Sequence, residues 1–196
     1  MKFQSDIDID FGDREPALKL IKHVPATIVK DSGPIKHNTG VHVTEIPIDP
    51  FLGSASIDYK VAENRGYIKL DLLNVSIYSQ ISSEQQLAEL MNREPEWHRL
   101  YSQPYCEQLI HIGNHYSTII KMPEPIDSVE RMAMFLAVIR PAKRHLIGSK
   151  WDEVAKTVWE ADVNGVYGYK KSHAIAYAHL VVVNMNLLTN LSNQGN

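Results

Sequence analysis

Apolar and polar residues alternate in short runs through the first eighty positions, and beyond them apolar residues recur at helical spacing. Ile7, Ile9 and Phe11 interleave with Asp6, Asp8 and Asp10, the period-two pattern of a strand buried on one face. Leu18, Leu20, Ile21 and Val24 predict a short helix behind it, with Pro16 in the first turn. Val41–Val43, Ser56–Tyr59 and Tyr67–Leu73 are further strands, punctuated by Gly33-Pro34, Pro47, Pro50, Gly53 and Gly66. From about Ser83 the period becomes helical. Ser83 with Gln86 predicts a capping box opening a helix to about Asn92, and Asp127 with Glu130 repeats the signal before a helix over Met132–Ile139 that Pro141 stops. Trp151–Trp159 and Ser172–Leu188 are the last two helices, with Gly165 and Gly168 in the loop between them. The expected fold is α+β: a small, mostly antiparallel sheet over residues 1–80, then a mostly helical region over residues 81–196.

Composition narrows the class. Of 196 residues, 44% are hydrophobic and 22% charged, which is globular rather than disordered. The longest uninterrupted apolar run, Met132–Ile139, falls well short of the ~20 residues that span a bilayer. The opening Met1-Lys2-Phe3-Gln4-Ser5-Asp6 has no apolar stretch of the secretory kind, so a cytoplasmic protein with no membrane partner is expected. One cysteine, Cys106, excludes an internal disulfide and is expected to be a small buried hydrophobe. Trp97, Trp151 and Trp159 are expected to be packing anchors. The formal net charge is −3, yet residues 140–171 hold seven Lys or Arg against four acids, leaving the rest of the chain acidic. Metal ions on the acidic part and a polyphosphate on the basic part would suit that division.

Three segments carry candidate chemistry. In Asp6-Ile7-Asp8-Ile9-Asp10 a strand aligns three carboxylates on one face, roughly 7 Å apart, and a hard divalent cation would relieve their repulsion. An EF-hand needs Gly at the sixth position and Glu at the twelfth; counted from Asp6 these are Phe11 and Ala17, which excludes it. In Gly66-Tyr67-Ile68-Lys69-Leu70-Asp71-Leu72-Leu73, Lys69 and Asp71 share the face opposite Ile68, Leu70 and Leu72. Asp71 could complete a carboxylate set for two metal ions. In Lys170-Lys171-Ser172-His173, with Ser172 as N-cap, basic side chains gather at a helix N-terminus, where backbone N–H groups favour an anion. Against each stands the ordinary alternative of a solvated polar face or a basic turn. His111 and His115 have zinc-binding spacing, but Gly113 between them weakens a helix and no third ligand is evident.

In order along the chain, these segments resemble the polymerase core of the C-family replicative DNA polymerases, the bacterial DNA polymerase III α subunits. The family's Pro-Asp-x-Asp-x-Asp-Phe strand is matched from Asp6 to Phe11, with Ser5 in place of Pro and Arg14 opening the following helix. Its His-x-x-Gly-Val strand is matched by His37-Asn38-Thr39-Gly40-Val41, and its Gly-x-Val-Lys-Phe-Asp-Phe-Leu strand by Gly66 to Leu73. An acidic helix leading to Ala-Leu-x-Arg-Pro-Gly-Pro is matched by Ser128-Val129-Glu130 and then Ala137-Val138-Ile139-Arg140-Pro141-Ala142. Lys171-Ser172-His173-Ala174-Ile175-Ala176-Tyr177-Ala178 matches Lys-Ser-His-x-x-x-Tyr-Ala.

The resemblance implies a nucleotidyltransferase-type palm sheet followed by a fingers-like region. Asp8, Asp10 and Asp71 would be catalytic and hold two Mg²⁺, or Mn²⁺, with Asp6 an outlying structural carboxylate. Lys69, Arg140, Lys171 and His173 would bind the incoming dNTP, and a DNA primer-template would be the partner. The reaction implied is attack of a primer 3′-hydroxyl on the α-phosphate with loss of pyrophosphate. The family's upstream Gly-Ser phosphate turn has no counterpart; Gly53-Ser54 and Gly148-Ser149 lie elsewhere, and Arg140-Pro141 lacks the following Gly-Pro. A second polypeptide supplying the missing part of the palm is therefore expected, in a compact core of viral or mobile-element type. The alternative is a non-catalytic DNA- or nucleotide-binding derivative serving replication as an accessory protein.

Overall fold

The computed structural model describes residues 7–160 and 169–194, so Asp6, Gly165 and Gly168 lie outside the described residues. The chain divides into two compact units, Met1–Ser82 and Ser83–Asn196. Its α and β content is mixed, as an α+β chain requires.

In the first unit the elements run β1 (Ile7–Phe11), α1 (Glu15–Leu20), β2 (Val24–Lys30), β3 (Gly33–His42), β4 (Ile48–Asp49), β5 (Ser54–Ala55), α2 (Tyr59–Asn64) and β6 (Lys69–Asn74). Four of the strands form one sheet in the order β1-β6-β3-β2, while β4 and β5 pair separately. The larger sheet is mixed: β1 runs parallel to β6, and the other two pairs are antiparallel. Lys30 pairs with Gly33, so β2 and β3 form a hairpin around Asp31-Ser32, and Gly33 closes it at φ +109°.

Two expected elements differ. Val24 opens β2 rather than ending a helix; α1 stops at Leu20, buries no residue, and passes through extended backbone at Ile21. Ser56–Tyr59 is not a strand. Asp58 turns the chain into α2, accepting from the Lys60 amide at 2.9 Å with one oxygen and from the Val29 amide of β2 at 2.9 Å with the other. Arg14 ties the end of β1 into the sheet, its Nη1 donating to the Asn38 carbonyl at 2.6 Å and the Leu72 carbonyl at 3.0 Å. At Gly12 an added Cβ would stand 2.9 Å from the Ser79 amide nitrogen, so only glycine lets the turn at 76–80 pack there.

The second unit is helical: α3 (Glu84–Asn92), α4 (Gln103–Cys106), α5 (Tyr116–Ile119), α6 (Val129–Val138), α7 (Trp151–Thr157) and α8 (Lys171–Gln194). Ser83 caps α3, its Oγ accepting from the Gln86 amide at 3.1 Å. Ser128, not Asp127, caps α6 by accepting from the Arg131 amide at 3.2 Å; Asp127 pairs instead with the Arg131 guanidinium at 2.9 Å. Ser172 lies within α8, which begins at Lys171, so it is not the N-cap expected.

Helices α6 and α8 form the centre of this unit. Six of the ten residues of α6 are buried, among them Phe135 and Leu136, and α8 is buried on every side from Leu180 to Leu187. By length and composition Lys171–Leu191 could cross a membrane, with 56% of its most apolar stretch buried inside the protein. Polar residues, among them Asn184 and Asn186, interrupt the apolar run. Two of them tie the core together. Asn184 Oδ1 accepts from the Ile110 amide at 2.8 Å, and Asn186 Nδ2 donates at 2.8 Å to the Leu90 and Arg93 carbonyls, satisfying the end of α3. Cys106 is fully buried, and burial pushes its thiol up to about 11. Trp97 and Trp151 are buried, with indole N–H groups donating to Glu94 at 2.6 Å and to the Pro125 carbonyl at 3.0 Å.

Candidate functional site

In the first unit the site begins with strand register. Asp8 on β1 stands directly opposite Asp71 on β6, and Asp10 opposite Leu73. Paired residues of neighbouring strands project to the same side, so Asp8, Asp10 and Asp71 share one face, with Asp8 and Asp71 a strand spacing of about 4.8 Å apart at the backbone. Asp8 is exposed and Asp10 half-buried; Asp71 is only 8% exposed. The Tyr78 phenol lies close to Asp10, and burial, then that carboxylate, push its pKa up.

Across the sheet, Gly40 of β3 pairs with Asp71. A Cβ at Gly40 would meet His37 Nδ1 and Lys69 Cδ at 3.1 Å and Asp71 Oδ1 at 3.2 Å. The space this glycine leaves lets three polar side chains meet. Asp71 Oδ1 accepts from the Thr39 hydroxyl at 2.8 Å, and Oδ2 pairs with the Lys69 ammonium. Lys69 is 5% exposed, lies 3.8 Å from Glu63, and stands 5.3 Å from the centre of the Tyr59 ring. Its charge is thus compensated within the unit.

His37 is a site residue that periodicity did not single out, although it opens one of the family-like motifs. Its Nδ1 accepts from the Gly40 amide at 2.9 Å and the Thr39 amide at 3.2 Å, which puts the ring proton on Nε2. Burial lowers its pKa, Asp71 opposes that, and Lys69 reinforces it. The ring packs edge-on against Tyr59 at 5.3 Å between centres. The imidazole therefore stays neutral at neutral pH, a fixed acceptor for the turn that leads into Gly40.

Asp8, Asp10 and Asp71 supply the hard carboxylate oxygens that Mg²⁺ or Mn²⁺ takes. Among the described residues no three His, Cys, Asp or Glu side chains are already gathered closely enough to hold a metal ion. Asp71 would have to share or release Lys69 to become a ligand. The chemistry of the donor set fits the ion; the present pairing of Asp71 must change to admit it.

In the second unit the basic residues meet aromatic ones. The Arg140 guanidinium lies 4.5 Å from the centre of the Tyr169 ring, and Tyr169 stacks on Tyr177 at 6.5 Å. Tyr177 lies 4.4 Å from the His111 ring and 6.3 Å from His173, so Arg140 and His173 border one cluster. The Lys171 ammonium lies 5.9 Å from the centre of the Trp159 ring. His111 and His115 are not on one helix: His111 holds left-handed backbone at φ +65° and His115 ends a short 3₁₀ turn. Burial lowers the pKa of both; Arg140 lowers it further at His111, as Arg144 and then Arg140 do at His115.

No protein-family model, curated protein or solved structure matches the chain.

Proposed function

We propose that this chain is a metal-dependent DNA nucleotidyltransferase of the DNA polymerase III α type, either a minimal enzyme or one subunit of a split polymerase. The observation that carries this reading is the parallel pairing of β1 with β6, which sets Asp8 against Asp71 with Asp10 on the same face. In this reading the first unit is a reduced palm and the second a fingers-like region, acting in the cytoplasm on a primer-template and a dNTP. Asp8, Asp10 and Asp71 would hold two Mg²⁺, which when bound promote ionisation of the primer hydroxyl and offset charge on the phosphates. Lys69 positions Asp71 and limits its repulsion with Asp8. Arg140, Lys171 and His173 bind the triphosphate. Purified chain, labelled primer-template, dNTPs and Mg²⁺ or Mn²⁺ should give extension that an Asp8→Asn/Asp71→Asn variant loses. Absence of extension by the chain, alone or with a co-purifying partner, would contradict the reading.

A second reading is favoured by one specific observation. Lys69 and Thr39 occupy both oxygens of Asp71, a self-contained arrangement that suits a derivative binding DNA or nucleotide without catalysis. Primer-template binding by fluorescence anisotropy, without extension and unchanged by chelation of divalent ions, would favour it.

A further inference from the structure

Among the described residues of the first unit, three buried side-chain atoms lack a hydrogen-bond partner: Nε of Arg14, Nε2 of His42 and Oγ1 of Thr44. His42 and Thr44 both line one cavity of about 300 Å³, formed between the start of β2 and the chain leaving β3. Val24, Val43, Ile46 and Ile48 supply its aliphatic wall. Lys22 and Glu45, paired at 3.0 Å and almost fully exposed, cancel each other's charge at its edge. His42 is 0% exposed, with the Tyr67 ring edge-on against it at 6.4 Å. Its Nδ1 stands 3.3 Å from the Ile68 carbonyl, which only accepts, so Nδ1 carries the proton and Nε2 is left as a bare acceptor. Burial keeps the ring neutral against that bond, and Lys69 and His37 add to the effect. His23, also in the wall, repeats the arrangement: Nδ1 donates to the Ile21 carbonyl at 3.0 Å, which leaves Nε2 of the neutral ring as a second acceptor.

These groups select a ligand by its chemistry. Buried polar atoms are ordinarily satisfied, and an imidazole lone pair is satisfied by an N–H or O–H, not by a phosphate, carboxylate or carbonyl oxygen. With the ion pair of the wall self-neutralised, nothing there compensates a charged ligand. An aliphatic amine carries charge at neutral pH, whereas the N–H of an indole and the O–H of a phenol do not. A cavity of about 150 Å³ encloses one benzene ring, so this one has room for two fused rings.

We propose that this cavity binds an uncharged aromatic molecule of one or two rings, of the indole or phenol type, whose N–H or O–H donates to Nε2 of His42 while the aliphatic wall packs on the rings. Both polar atoms are closed to solvent. The ligand reaches them by a turn of the Thr44 side chain, which stands on a bend beyond the end of β3 and offers its hydroxyl to the same polar end of the ligand. None of the lining residues belongs to the proposed metal site or to a family-like segment, so the inference is independent of the polymerase reading.

The test is NMR titration of the full, nitrogen-15-labelled chain with indole and, separately, with benzothiophene, which has the same two-ring outline without the N–H. Indole should move the amide resonances of Val24 and of residues 42–46, and should shift His42 Nε2 toward the position of a hydrogen-bonded nitrogen. Benzothiophene should bind about tenfold more weakly, the size of one hydrogen bond. Thr44→Val, close in volume, should weaken indole by about threefold or more while leaving the spectrum of the rest of the unit in place. Equal affinity for the two bicycles, an unmoved His42 Nε2 resonance, shifts confined to residues outside the cavity, or no shift with either molecule would overturn the proposal. The comparison of indole with benzothiophene uses wild-type protein alone, so a folding defect cannot imitate its result.

Discussion

Replacing Lys69 by methionine probes the joint between fold and site. The ammonium is 5% exposed and serves two carboxylates, Asp71 directly and Glu63 at 3.8 Å. Methionine keeps most of the stem's volume, so the substitution removes charge rather than packing. It leaves Asp71, 8% exposed, with the Thr39 hydroxyl and the repulsion of Asp8 across the strand pair. Breaking a buried pair from one side costs about 3–5 kcal/mol. A domain of this size is stable by only about 5–10 kcal/mol, so roughly half its stability would go. Asp71→Asn should cost less, about 1–3 kcal/mol, because Lys69 keeps Glu63 and the Tyr59 ring. Lys69→Met/Asp71→Leu should recover to within about 1 kcal/mol of wild type, since a buried pair and an apolar replacement are often close in energy. Trp97, Trp151 and Trp159 all lie in the second unit, so tryptophan emission in urea reads that unit. Amide exchange of β3 and β6 reads the first. A loss below about 1 kcal/mol for Lys69→Met, or a double variant less stable than the single, would refute the view that this pair holds the site together.

Gly40→Ala should cost about 1–3 kcal/mol and loosen the Lys69–Asp71 pair, since its Cβ would press on His37, Lys69 and Asp71 at 3.1–3.2 Å; amide exchange of β3 and β6 measures it. Asn186→Leu should lower stability by about 2–3 kcal/mol, measured by tryptophan emission in urea, because the Leu90 and Arg93 carbonyls lose their donor. Acidification should destabilise both units. His37, His42, His111 and His115 all have folded pKa values below their ordinary 6.5, so below that pH the unfolded chain takes up protons first. Their contribution is full above pH 6.5 and falls by up to about 1.4 kcal/mol per histidine for each pH unit until the folded pKa is reached. Urea midpoints at pH 7.5, 6.5 and 5.5 measure it, and midpoints that rise on acidification through this window would refute it.

Alternation around Asp8 and Asp10, and the Lys69-x-Asp71 pair, were legible because a strand's period of two is local. Their register was not. Whether β1 lies parallel or antiparallel to β6 depends on how the intervening hairpin and α2 fill space, and an alternating pattern is the same in either direction. The helix α2 was missed because Ser56, Ile57 and Tyr59 look β-forming, while Asp58 acts through one cap and one bond to β2. The pairing of Lys69 with Asp71 could be suspected from spacing, but its burial depends on Gly40 two strand positions from His42, which only register reveals. The His111 cluster left still less signal: it joins a turn, the end of α6 and the start of α8, more than sixty positions apart in sequence. Tyr177, four residues beyond His173 on one helix face, was the single local hint.

The most direct measurement is a crystal structure of the full chain with Mn²⁺ and a non-hydrolysable dNTP, read by anomalous scattering. The account predicts Mn²⁺ ligated by Asp8, Asp10 and Asp71 oxygens, with the Lys69 ammonium withdrawn from Oδ2 of Asp71. Nucleotide bound without metal at these carboxylates, and Lys69 still paired to Asp71, would contradict it and leave a binding protein in place of a polymerase.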